Sequence, residues 1–193
     1  MNTNKQHLEK MQRILKDFAA QLKRLAAEAV KNEEIYQAKI AADQNALLRE
    51  KMAALREKTY AAITAEAEAA RADVIEWGVP KGSDLTSDYE LLKGAVNLSP
   101  EDLQLLAYRY KDNATMQRAL VKYAEGRSDV DLRILTPADR LNAWWNIESG
   151  AYGLLDSIYE QPAGGPMIDL AVEVWGDPEQ QAGMQQYALM FEV

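Results

Sequence analysis

The chain of 193 residues has no cysteine and a single histidine, His7. Without cysteine there is no disulfide framework, no thiolate zinc site and no cysteine nucleophile, and nothing calls for an oxidising compartment. One histidine close to the N-terminus gives no basis for histidine catalysis or a histidine metal site. No run approaches the roughly 18 apolar residues of a membrane span, and the first residues lack the apolar stretch of a signal peptide. A soluble protein of the cytoplasm is the expectation. Glycine and proline are absent from residues 5–75, and lysine and arginine are absent beyond Arg140.

Phosphate-cradling patterns are missing too. There is neither a G-x-x-x-x-G-K-[ST] loop nor a G-x-G-x-x-G turn, and Gly164–Gly165 sits between prolines as an ordinary loop does. Ser149 lacks the leading Gly-x of a nucleophile elbow. The close acid pairs Asp129/Asp131 and Asp177/Glu179 lack the further oxygen ligands and glycine of a calcium loop, and read as solvated surface acids. The expectation is therefore a non-enzymatic protein with no catalytic residues, no cofactor and no metal.

What is present begins with a seam. Leu8, Met11, Leu15, Phe18, Leu22, Leu25 and Ala29 fall at alternating three- and four-residue steps, the spacing of a helix that packs along another helix. Residues 5–75 are rich in Ala, Glu, Lys, Gln, Leu and Arg, all strong helix formers. A continuous helix of that length would run about 105 Å at about 1.5 Å per residue. The stripe falters at Asn32 and resumes in a shifted phase at Tyr36, Ile40, Leu48, Met52 and Leu55. Either a supercoil absorbs the shift, or a break near Asn32 folds the second half back as a hairpin.

The helix signal stops at Trp77, Gly78, Val79 and Pro80, which places a domain boundary there. The expected division is 1–76, a long coiled-coil-like arm or hairpin, and 77–193, a compact acidic domain. Residues 1–71 carry 13 basic and 10 acidic side chains, whereas residues 72–193 carry 9 and 20. Such an acidic surface repels nucleic acid and favours basic partners.

Within the second part, Ser99-Pro100-Glu101-Asp102 and Thr136-Pro137-Ala138-Asp139 are helix starts, each with a hydroxyl cap, proline in first position and acids in the first turn. Leu103, Leu106, Ala107 and Tyr110 give the first of these helices one buried face. Lys111–Asn113 turn into a second helix that ends at Gly126. The helix from Pro137 carries Trp144 and Trp145, which cannot share one face; Trp144 is placed in the core and Trp145 at the edge, as a candidate partner contact. Ile168 to Trp175 alternates apolar and polar residues as a strand does, although a short buried helix fits as well, and Val130–Leu135 and Tyr187–Val193 are further strand candidates. The fold class expected is mainly α, a long N-terminal helical arm plus a compact helical C-terminal domain with room for a small β-sheet.

The stretch LSPEDLQLLAYRYKDNATMQRALVKYAEG, residues 98–126, resembles a helix-turn-helix segment of uncharacterised bacteriophage and prophage proteins encoded among head and structural genes. The resemblance implies a role in virion assembly, in a bacterial host cell or in the virion, and brings no catalytic residues. The functional expectation is an assembly or scaffold-like protein that self-associates through its arm, with Leu8, Met11, Leu15, Phe18, Leu22, Leu25 and Trp145 as interaction residues and other virion proteins as further partners. The alternative is an acidic regulatory module that captures a basic protein. Nucleic acid and membrane are not expected partners.

Overall fold

The computed structural model describes residues 3–132, 134–162 and 166–177. The fold is mainly helical, and no strand occurs among the described residues. Two long helices come first, α1 (Thr3–Ile35) and α2 (Ala38–Gly78), followed by α3 (Pro100–Arg109), α4 (Ala114–Ala124), α5 (Pro137–Glu160) and α6 (Pro166–Trp175).

The arm is a hairpin and not one continuous helix. The chain reverses at Tyr36 and Gln37, and the register is antiparallel: His7 on α1 meets Glu66 on α2, and Asn32 meets Asn45. Asn32 does not cap a new helix. It lies inside α1, whose last bond runs from the Tyr36 amide to the Asn32 carbonyl, while Gln37 opens α2 by accepting from the Ala41 amide. A single rod would leave an apolar stripe facing water over tens of residues, and folding back buries both stripes in one chain.

The chain divides into two compact units, residues 1–70 with 143–193, and residues 71–142. This differs from the consecutive division 1–76 and 77–193 read from sequence, because the described residues of 143–177 belong with the hairpin. The boundaries fall inside α2 and α5, where no glycine-proline punctuation marks them.

In the first unit the core gathers the α1 seam, Ile63, Ala67 and Ala70 of α2, Trp144, Ile147, Ala151, Leu155 and Ile158 of α5, and Val172 of α6. The alanines of α2 are buried at helical spacing, and their small side chains let neighbouring helices approach closely. The segment read from sequence as a strand, Ile168–Trp175, is helix α6. Ile168, Val172 and Trp175 fall at i, i+4 and i+7, so one face turns inward, and α6 packs along α1. Gln12 of α1 donates its side-chain amide to the Glu173 carbonyl at 3.2 Å, serving a carbonyl that the last turn of α6 leaves open. Gly150 of α5 lies where a Cβ would sit 2.9 Å from Trp175 Nε1, so the glycine admits the indole.

In the second unit, Leu98, Leu103, Leu106, Ala107 and Leu120 form the core. Ser99 and Asp102 make a reciprocal capping box at the start of α3, and Asn113 caps α4 by accepting from the Met116 amide. Thr136 and Asp139 repeat the box at the start of α5. Gly126 follows α4 at φ +84°, a left-handed conformation that glycine adopts without steric cost. The segment 130–135 has no strand among its described residues, and the strand candidate 187–193 lies outside the described residues.

Candidate interaction surfaces

Five of the residues expected to meet a partner are instead enclosed by their own chain. Leu8, Met11, Leu15, Phe18 and Leu22 are buried, and Leu25 is half-buried. The three-four periodicity correctly marks a helix face that packs against helices, but those helices are α2, α5 and α6 of the same unit. Trp144 is fully buried, and its indole N–H donates to Asn4 Oδ1 at 3.0 Å. Trp145, its neighbour on α5, remains 57% exposed.

Near the base of the hairpin, His7 lies almost fully buried, edge-on to the Trp144 ring at 6.0 Å, with Glu66 as ring-nitrogen partner. Lys10 Nζ reaches the same Glu66 oxygen at 3.1 Å. Sequence reasoning gave His7 no pocket, since nothing within twenty residues of it hints at Glu66 or Trp144.

Farther along, Arg56 of α2 donates through Nε and Nη2 to one oxygen of Asp156 on α5, at 3.1 and 2.7 Å, and the Tyr60 hydroxyl donates to that oxygen as well. The Tyr60 hydrogen bond, and then Arg56, hold the Asp156 carboxyl below the usual aspartate range. Burial, reinforced by the hydrogen bond to Asp156, pushes the Tyr60 hydroxyl up. Next to this cluster the Tyr152 hydroxyl donates to Glu148 at 2.6 Å and meets Thr64 Oγ1. At α6, Glu173 lies 3.9 Å from Lys16. Asp156, Glu148 and Glu173 belong to the acid-rich stretch beyond Arg140 that the sequence offers to a basic partner. Here their partners are side chains of the same unit.

Among the described residues no group of three or more His, Asp and Glu side chains is placed to hold a metal ion. No helix among them is long and apolar enough to cross a membrane.

Apolar surface is left open at the tip of the hairpin. Val30, Ile35, Tyr36, Ile40 and Leu47 are all exposed, between 47% and 60%, within 18 residues of sequence. The α1 seam ends before them, at Leu22 and half-buried Leu25. Beyond that point the hairpin core consists of Ala41, Asn45 and Leu48. The Asn45 amide donates to the Ala29 carbonyl and to Glu33 Oε1, both at 3.2 Å, and its oxygen accepts from Asn32 at 3.1 Å. Polar clasping in place of apolar filling closes this end, and the large apolar side chains point outward.

The second unit has a groove of about 650 Å³ beside α4, floored by Trp77, Val121, Leu132, Ile134 and Pro137. Its geometry is fixed by Trp77, whose indole N–H donates to the Asp112 carbonyl at 2.8 Å, and by Arg140, whose guanidinium stacks 4.1 Å from that indole ring. Arg140 is only 3% exposed and donates through Nη2 to the Lys111 carbonyl, while its Nε has no hydrogen-bond partner. Burial pushes the Arg140 guanidinium down from its ordinary value. Trp77 thus ties the end of α2 to the rest of the second unit.

No family model matches this chain, and neither a curated protein nor a solved structure matches it.

Proposed function

We propose that this protein is a non-enzymatic assembly protein that engages a protein partner through the exposed tip of its helical hairpin. The observation that carries this reading is the run of open apolar side chains from Val30 to Leu47, beyond the point where the internal seam stops. Several large exposed apolar side chains gathered at one end of a hairpin mark a contact site better than the singly scattered ones that are ordinary on protein surfaces. The proposal moves the contact from the seam, which the fold itself covers, to the tip, and Trp145 offers a second exposed apolar side chain. Virion assembly, the role implied by the likeness of residues 98–126 to uncharacterised bacteriophage and prophage proteins often encoded among head and structural genes, is the proposed setting.

Site-specific photo-crosslinking tests the reading. A photoreactive residue replacing Leu47 is expected to form protein adducts in cells that make the chain, and one replacing exposed Glu68 is expected to form none. Equal labelling at both positions, or no protein adduct at Leu47, would remove the tip from the account.

A further inference from the structure

The hairpin tip is electrically neutral within an acidic chain. Residues 22–50 carry five basic and five acidic side chains, whereas the whole chain has a net charge of −8. A strongly basic or acidic partner therefore gains no net attraction there, and a second copy of the tip meets no net repulsion.

Three of the exposed apolar side chains, Ile35, Ile40 and Leu47, also share a side, whereas Val30, one position after half-buried Ala29, lies on the other flank. Ile40 and Leu47, seven residues apart, project from one flank of α2, each one position before the buried Ala41 and Leu48. On α1, Glu28, Lys31 and Ile35 follow at three- and four-residue spacing along one flank, and all three are exposed. Because α2 runs opposite to α1, positions turned one way from the core of α1 lie on the same side of the hairpin as these positions of α2. No ion pair among the described residues engages Glu28 or Lys31.

We infer that a second copy of this chain covers this face, in an antiparallel overlap of two hairpin tips about a two-fold axis. The inference rests on the proposed role of the tip and names its occupant. In such an overlap Ile40 of each copy meets Leu47 of the other, and Glu28 of each copy comes beside Lys31 of the other, so each contact occurs twice. The charge order of one tip is the complement of its own reversal. Two helices about 10 Å across, overlapping over about 15 residues, present a face of about 450 Å² on each copy. The total, about 900 Å², falls below the roughly 1,200 Å² of lasting interfaces, so the dimer is weak and reversible.

Sedimentation velocity on the full chain from about 1 μM to about 1 mM decides the matter. The wild-type protein is expected to shift from monomer toward dimer across this range at a fixed, physiological salt concentration. Glu28→Lys and Lys31→Glu, each alone, are expected to weaken the dimer about tenfold, and the two together in one chain to restore it. Ile40→Glu with Leu47→Glu is expected to leave a monomer whose circular dichroism and melting match the wild type. A wild-type protein that stays monomeric throughout, or a dimer that the double charge exchange does not restore, would overturn the second copy as occupant. Failure of this inference differs from failure of the proposed function: a Leu47 adduct with a different protein on a monomeric chain keeps the tip as a contact, and absence of any Leu47 adduct ends both.

Discussion

Asn45 on α2 and Asn32 on α1 clasp the two helices of the hairpin near their turn, Asn32 Nδ2 donating to Asn45 Oδ1 at 3.1 Å while the Asn45 amide donates to the Ala29 carbonyl and to Glu33. A buried amide with its donors and its acceptor engaged tolerates little change of register, since a slip of one residue would leave several polar groups unpaired. Asn45→Ala is expected to cost about 1–2 kcal/mol, chiefly from the Asn32 side-chain amide left without its acceptor. Urea unfolding measures the loss, and amide exchange should show it concentrated in residues 26–48.

The seam and the tip make opposite predictions. Phe18→Ala removes a side chain that is fully buried within the chain, and is expected to destabilise the monomer by about 3–5 kcal/mol. Ile35→Ser, on the exposed tip, is expected to change stability by less than about 0.5 kcal/mol. Chemical denaturation at low protein concentration distinguishes the two, and a mild effect of Phe18→Ala would mean that the seam is not covered internally.

The two glycines of α5 are expected to respond differently to alanine. Gly153 has open space around the position of a Cβ, so Gly153→Ala is expected to stabilise the protein by about 0.5–1 kcal/mol through helix propensity. At Gly150 the added carbon would meet Trp175 Nε1 at 2.9 Å, and the indole must move to accept it. Gly150→Ala is expected to lower the melting temperature and to alter tryptophan fluorescence.

Acid should loosen the contact between α2 and α5. The Tyr60 hydroxyl and the Arg56 guanidinium favour the ionised form of Asp156, so its folded pKa lies below its unfolded one. Its contribution to stability is full above the ordinary aspartate range, near about 3.9, and is lost as pH falls through the depressed folded value. Both side chains of the ion pair are about one-third or more exposed, so solvent screens the effect and it is modest. Melting curves between about pH 2 and 6 should show a steeper acid decline for the wild type than for Asp156→Asn.

Local signals in the sequence were legible. The caps at Ser99 and Thr136, the turn at Lys111–Asn113 and the glycine stop at Gly126 all stand where the residues placed them, because each depends on neighbours within a few positions. The α1 seam was legible as a buried face, but periodicity says that a face is covered without saying by what. The elements that meet α1, α5 through Trp144 beside Asn4 and His7 and α6 through its carbonyls at Gln12, lie more than a hundred residues away. Ile168–Trp175 satisfied two periods at once, and contact with α1 selects the helical one. The bond between Arg56 and Asp156 left no trace in sequence, since an isolated arginine and an isolated aspartate a hundred residues apart carry no spacing signal. The open tip emerged only once the hairpin showed which apolar residues were left outside.

The most direct test of the closed hairpin is an intramolecular distance between spin labels at exposed Arg13 on α1 and Lys58 on α2, measured with labelled chain diluted into excess unlabelled chain so that only pairs within one molecule count. A helix folded back on itself brings these positions to within about 25 Å, labels included, whereas one continuous helix would hold them about 68 Å apart at about 1.5 Å per residue. A single short distance is the predicted result, and a distribution centred near the long one would contradict the internal burial on which the tip-contact account rests.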